Sequence, residues 1–200
     1  FMNVSGAIGN FTAANLILTG KNTNFENSFL STNLNQWSTL SAAQRLLVNS
    51  TSLVNFLRGN TGYEDRASNV DGAIDSRIYR FRETTLGDLV DSTPVYVGVP
   101  KANFSDPGYG PNTSISSFKA AQATRAGTVY IGANDGMIHA IDATNGQERW
   151  AYVPSMVLDN MWKLASNNYG SAHSYYVNGD IVVNDICTAS CTSASTAVWR

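Results

Sequence analysis

Residues 127–154 read GTVYIGANDGMIHAIDATNGQERWAYVP, and the fold turns on how this stretch is interpreted. Three apolar runs stand out: Val129-Tyr130-Ile131, Met137 to Ile141, and Trp150 to Val153. Asn134-Asp135-Gly136 separates the first two, and Ala143-Thr144-Asn145-Gly146 separates the last two. Asp-Gly and Asn-Gly tolerate the positive φ that tight hairpin turns require, so the stretch is expected to form three antiparallel strands. Apolar side chains fall on both faces of these strands. Such a pattern fits a sheet covered on both sides, as when sheets stack face to face around an axis.

Within this stretch a spaced motif appears: Ala140-x-Asp142-x-x-Asn145-Gly146-x-x-x-Trp150. It resembles the A-x-D-x-x-T-G-x-x-x-W docking motif of quinoprotein-type β-propellers, with Asn145 in place of the family's Thr. The physical roles are local. The carboxylate of Asp142 can accept backbone N–H groups across the turn, Gly146 supplies the turn geometry, and Trp150 packs between neighbouring blades.

Working outward, further strings match in order. Val54-Asn55-Phe56-Leu57-Arg58-Gly59 resembles a V-N-x-L-R-G signature. Tyr79-Arg80-Phe81-Arg82, Leu86-Gly87-Asp88-Leu89-Val90-Asp91-Ser92 and Pro94 to Pro100 are similar to the strands that follow it, with Thr84 and Asp91 as departures. These strings are similar to the propeller region of PilY/PilC-type proteins, the type IV pilus biogenesis factors and tip-associated adhesins. The resemblance runs from about Val54 to about Asp185. Where that family often reads V-D-G-S-P, this chain has Val177-Asn178-Gly179-Asp180-Ile181.

The expected fold is therefore mainly β: a partial quinoprotein-like β-propeller of four-stranded antiparallel blades, preceded by a helical lead-in. The lead-in is assigned to 1–59 and the first blades to 60–200, incomplete at the C-terminus. Asn15 to Thr19 could be a strand, and Phe25, Phe29, Leu30 and Leu34 recur at near-helical spacing. Ser41-Ala42-Ala43-Gln44 fits a capping box. One helix is expected to follow, with Leu46, Leu47, Leu53, Val54 and Leu57 as its apolar stripe and Gly59 as its stop. Lys101–Ala126 reads as a surface loop with a short helix near Ser117–Ala123. A helix is expected after Pro154, with Val157, Leu158, Met161, Trp162 and Ala165 on one face. Ser174 to Ile186 reads as another hairpin around Asn178-Gly179.

Composition narrows the function. The net charge is -2 and charged residues make up 14% of the chain, which lacks the basic footprint of a nucleic-acid binder. No apolar run is long enough to span a bilayer as a helix. Cys187 and Cys191 are the two cysteines, set between apolar segments. A disulfide across a hairpin loop is the first reading, free thiols the second and a metal pair the third.

His139 and His173 are the two histidines. His139 has no nucleophile with an activating context beside it and reads as structural. His173 matches a position where the resembling proteins also carry His ahead of the Y-x-V-x-G hairpin, and is read as structural too. Asn69-Val70-Asp71-Gly72 is the nearest approach to an EF-hand calcium loop. It fails at the first position, Ala67, and at the twelfth, Ile78. No catalytic, cofactor or metal residue is assigned to this chain. The resemblance implies calcium on a blade elsewhere in the full-length protein.

The resemblance further implies an exported, non-catalytic binding propeller at the pilus tip, cell surface or outer membrane. Its implied partners are minor pilins, a host or abiotic surface, and the remainder of its own chain. The alternatives are a quinone-dependent dehydrogenase and a generic envelope-assembly scaffold. Part of a propeller leaves strand edges and a blade face open, so the piece is expected to need the rest of its chain or a partner to stay soluble.

Overall fold

The computed structural model describes residues 30–71, 74–110, 117–193 and 196–200. The strand expected at Asn15 to Thr19, and Phe25 and Phe29 of the near-helical run, lie outside them. Leu30 and Leu34 flank a single 3-10 turn, Ser31–Asn33.

The expected single helix is two. α1 spans Ala42–Leu47 and opens on the Ser41/Gln44 capping box. α2 spans Ser50–Leu57. Val48 and Asn49 are extended between them, and Asn49 with Ser52 forms a second reciprocal cap. The break has a physical cause: the Asn49 side chain accepts the Ser52 N–H at 3.0 Å, satisfying a donor that a continuous helix would leave to the previous turn. It also turns the apolar stripe. Leu53, Val54, Phe56 and Leu57 are buried, while Leu46 remains 86% exposed. Gly59 closes α2 with φ +99°. Its N–H donates to Phe56 O and that of Asn60 donates to Asn55 O, the paired bonds of a Schellman motif.

A two-stranded ribbon follows, β1 (Val70–Asp71) with β2 (Ile74–Asp75). Then come β3 (Val95–Val97), α3 (Phe118–Ala121), β4 (Thr128–Ala133), β5 (Met137–Asp142) and β6 (Glu148–Tyr152). The four strands form one sheet in the order β3-β4-β5-β6. β3 lies antiparallel to β4, with Val95 opposite Tyr130 and Val97 opposite Thr128. Residues 127–154 supply the three strands expected of them, and Val95–Val97 adds the fourth strand of an antiparallel blade.

After β6 the chain enters a helix at Ser155–Ala165, and it is 3-10 rather than α. Leu158, Met161 and Leu164 are buried at a spacing of three, the repeat that keeps one face of a 3-10 helix in register. The hairpin expected over Ser174 to Ile186 does not form. Val182 is 81% exposed, and Val183 and Ile186 are exposed too, so no apolar burial draws this segment into a sheet. The ladder begins at Ile186, which exchanges two backbone bonds with Arg200 at 2.9 Å. β7 (Cys187–Ala189) then pairs antiparallel with β8 (Val198–Trp199).

The chain divides into two compact units. One takes the described residues up to Ser92 with Gly132–Ile138 and Ala151–Gly179; the other takes the described residues of Thr93–Ile131, His139–Trp150 and Asp180–Arg200. The first unit holds an apolar core in which α2, Ile78 and Tyr79 meet Met137, Ala151, Leu158, Met161 and Leu164. The second is organised on Tyr109, which is wholly buried against Phe104, Phe118 and Trp199. Within the 101–126 segment, expected to be a surface excursion, Phe104, Tyr109 and Phe118 are in ring contact with one another or with Trp199. The segment's short helix, α3, is where the sequence places it.

Candidate functional site

The docking motif lies on β5, the turn after it and β6. Ala140 is fully buried. At the end of β5 the Asp142 Oδ1 accepts the Thr144 N–H at 2.8 Å, and its backbone carbonyl accepts the Gly146 N–H at 2.9 Å. Gly146 holds φ at +75°, where a side chain is strained. Arg149 reaches back from β6 and donates through Nη2 to Asp142 Oδ2 at 2.8 Å, and through Nη1 to Thr128 Oγ1 at 2.8 Å. The Arg149 hydrogen bond, then the Thr144 N–H, hold the Asp142 carboxyl below the usual carboxylate range. Trp150 rests on Tyr130, ring centroids 5.7 Å apart, and keeps 43% of its surface open.

The two histidines are in separate surroundings. His139 is buried, with Nδ1 3.0 Å from Glu148 Oε2 on the neighbouring strand. His173 places Nε2 2.8 Å from Asn134 Nδ2, and its ring lies against Tyr169 and Tyr175. Cys187 and Cys191 form a disulfide, with Cα atoms 5.8 Å apart. Cys187 pairs with Trp199 across β7 and β8, and Trp199 donates from Nε1 to Pro107 O at 2.9 Å.

The first unit contains a joint that the turn chemistry only half announced. The Leu86-Gly87-Asp88 segment is bonded to the β4–β5 turn. Gly87 N–H donates to Asp135 Oδ2 at 3.0 Å, and Asn134 N–H donates to Asp88 O at 2.9 Å. A Cβ on Gly87 would fall on the backbone nitrogen of Asp135 and within 2.8 Å of Asn134 C, so only glycine fits. Asn134 is more than a turn residue. Its Oδ1 accepts the Tyr176 N–H at 2.9 Å, and its Nδ2 donates to Tyr169 Oη at 3.1 Å. Farther along, Ser92 Oγ accepts the Gly132 N–H at 2.9 Å.

Sequence reasoning missed a buried ion network. Glu64 is wholly buried; Arg82 meets its Oε1 and Arg66 its Oε2, each at 2.6 Å. Arg82 also donates to Asn60 O at 3.1 Å, just past α2, and its guanidinium lies 3.6 Å from the centre of the Phe56 ring. The Y-R-F-R and V-N-F-L-R-G strings are thus tied together physically. Arg80 donates from Nε to Leu164 O and lies over Tyr169, 4.4 Å from the ring centre. Burial lowers the pKa of both Arg80 and Arg82, and the hydrogen bond to Glu64 opposes that for Arg82. Gln36 was also missed: it donates to Ile78 O and Ala165 O and accepts the Asn167 N–H.

Beside this network is a recess of about 210 Å³, whose lining includes Arg80, Glu83, Thr84, Asp88, Asp135 and Tyr169. Its lining is more polar than apolar. The second unit has a recess of about 230 Å³ lined by Val95 to Ala102, Phe104, Arg125 and Val183 to Asp185. At its floor Tyr109 Oη donates to Asp185 Oδ2 at 2.8 Å, and Arg125 donates from Nε to Gly98 O at 2.6 Å. Among the described residues no three metal-ligating side chains converge, and no helix is long and apolar enough to cross a membrane.

The family described as PilY1 beta-propeller domain matches residues 86–197. A type IV pilus biogenesis factor PilY1 homolog of Xylella fastidiosa is 34% identical over 190 residues, covering 92% of this chain and 14% of that protein. The type IV pilus biogenesis factor PilY1 of Pseudomonas aeruginosa strain PAO1 is 39% identical over 157 residues, covering 74% of this chain and 13% of that protein. The chain therefore spans about one-seventh of the length of these curated relatives. No solved structure matches it. With a four-stranded antiparallel blade, the docking-motif residues and a family match over more than half of its length, the chain belongs to the PilY1 beta-propeller family.

Proposed function

We propose that the protein containing this chain acts in type IV pilus biogenesis, and that this region is a non-catalytic binding propeller rather than an enzyme. The observation that carries the reading is the 34–39% identity to proteins named as PilY1 biogenesis factors, over most of this chain. The buried locks at Glu64 and Gly87 support it, because they stiffen a surface without assembling reactive groups. The Cys187–Cys191 bond supports export to an oxidising compartment.

In this reading the protein sits at the pilus tip, cell surface or outer membrane. Minor pilins and an external surface are its partners, and pilus extension and attachment are its outputs. Calcium belongs to the reading only through parts of the full-length protein outside this chain.

The test is a deletion strain together with a pull-down. Loss of the gene is expected to reduce surface pili and attachment, and full-length protein is expected to retain minor pilins. Normal piliation together with no pilin retained would remove the proposal. Added quinone and calcium are expected to produce no dye-linked alcohol oxidation; turnover would replace the binding reading with the dehydrogenase one.

A further inference from the structure

The sequence has two Asn-Gly pairs, one at the β5–β6 turn and one in the irregular segment after Tyr176, and the structure treats them differently. At Asn145-Gly146, the Gly146 N–H donates to Asp142 O at 2.9 Å and Asn145 Oδ1 accepts the Gln147 N–H at 2.9 Å. The backbone nitrogen and the carboxamide are both engaged. At Asn178-Gly179, neither the glycine nitrogen nor the carboxamide has a hydrogen bond among the described residues. Both glycines stand in open space, so steric access does not separate the two pairs. Residues 177 and 144 are both β-branched, Val and Thr, so the preceding side chain does not separate them either. Hydrogen bonding does. Upstream, Tyr176 is fixed by its N–H bond to Asn134; downstream, residues 180–185 belong to no strand and Ile186 is paired with Arg200.

We propose that Asn178 is a site of self-modification, through an imide formed with its own backbone. The Gly179 nitrogen, after losing its proton to a solvent base, attacks Asn178 Cγ. The new N–C bond closes a five-membered ring, and the carboxamide nitrogen leaves as ammonia. Water then adds at one of the two imide carbonyls and opens the ring to aspartate or isoaspartate. One water is consumed and one ammonia released, with no change in oxidation state and no co-reactant.

The product carries a negative charge where the amide was neutral, next to Asp180. Isoaspartate also lengthens the backbone by one carbon. The aspartate product gives this turn the Asp-Gly pair that the resembling V-D-G-S-P pattern has.

Holding Gly146 and Asn145 in two hydrogen bonds is worth about 2 kcal/mol at about 1 kcal/mol each, which corresponds to about thirtyfold in rate. The folded full-length protein, incubated in mildly alkaline buffer made with ¹⁸O water and mapped by mass spectrometry, is expected to gain label at Asn178 about thirtyfold faster than at Asn145. In denaturant the two sites are expected to react at similar rates. Gly179→Ala is expected to slow labelling at position 178 and leave Asn145 unaffected. The proposal is overturned if folded Asn145 labels as fast as Asn178. It is also overturned if folded Asn178 stays unlabelled while both sites react in denaturant.

Discussion

The two units solve the problem of a small core by opposite means. In the first, helices, a 3-10 segment and strand residues enclose an apolar cluster into which charged and amide groups are built: Glu64 with two arginines, Gln36 on three backbone groups, and Asn134 on three partners. In the second, one tyrosine is wrapped by aromatic rings and a disulfide closes the adjacent hairpin. Buried polar groups specify one arrangement and fail steeply when one partner goes. An aromatic cluster with a covalent closure degrades more gradually, because no desolvated charge is left behind. The comparison can be broken by testing each device in turn.

The steepest loss is expected at Glu64. Glu64→Ala leaves Arg82 buried and uncompensated, which costs about 3–5 kcal/mol. Urea unfolding followed by hydrogen exchange should place the loss in the first unit. A change under about 1 kcal/mol would mean that its stability rests on apolar packing alone.

Gly87 comes next. Gly87→Ala drives a methyl group into the Asp135 backbone, and overpacking of this kind costs about 3 kcal/mol. Gly146→Ala meets no neighbour and carries only the strain of positive φ, about 1–2 kcal/mol. If the two variants melt alike, the contact between residues 86–88 and the β4–β5 turn is not a tight one.

A pH scan addresses both units at once. Burial pushes the Tyr79 hydroxyl in the first unit up to about 12. Burial, then the hydrogen bond to Asp185, does the same to Tyr109 in the second. A tyrosine whose folded pKa exceeds its unfolded value near 10 contributes stability that is fully present below pH 10 and lost as pH rises toward 12. Each is expected to withdraw about 2–3 kcal/mol over that range. Tyr79→Phe should reduce the alkaline loss in the first unit only, where burial also raises Tyr169 and Tyr176, and Tyr109→Phe should reduce it in the second only. Equal effects of either variant on both units would show that they do not titrate independently.

What was legible in the sequence is what short-range chemistry decides. Asp142 and Gly146 close a turn with partners a few residues away, and the Ser41/Gln44 box caps its own helix, so composition and spacing suffice. The break at Asn49 was hidden because the apolar stripe continues through it; only the Asn49/Ser52 cap marks it. Glu64 and Gln36 were invisible for a different reason. Arg66 is two residues from Glu64, but Arg82 stands 18 away, and Gln36 reaches Ala165 129 away, and nothing local shows that a glutamate or glutamine will be enclosed. The same limit explains 174–186, where turn residues and apolar residues are present but the structure supplies no sheet to bury them. Of the site, the turn bonds of Asp142 and Gly146 follow from spacing, whereas the joint at Gly87 required seeing which turn the glycine faces.

The mildest effect is expected from opening the disulfide. Its loop is short, so loop-closure entropy assigns it about 2 kcal/mol. The double variant Cys187→Ser with Cys191→Ser should leave the protein folded, with faster hydrogen exchange confined to β7, β8 and the residues around Pro107 that Trp199 touches. Tyr109 should remain protected, because Phe104 and Phe118 still cover it. If instead the whole second unit exchanges at once, the aromatic cluster is not self-sufficient. The covalent closure would then be to that unit what Glu64 is to the first, and the contrast between the two designs would collapse into a single rule of one indispensable clasp per unit.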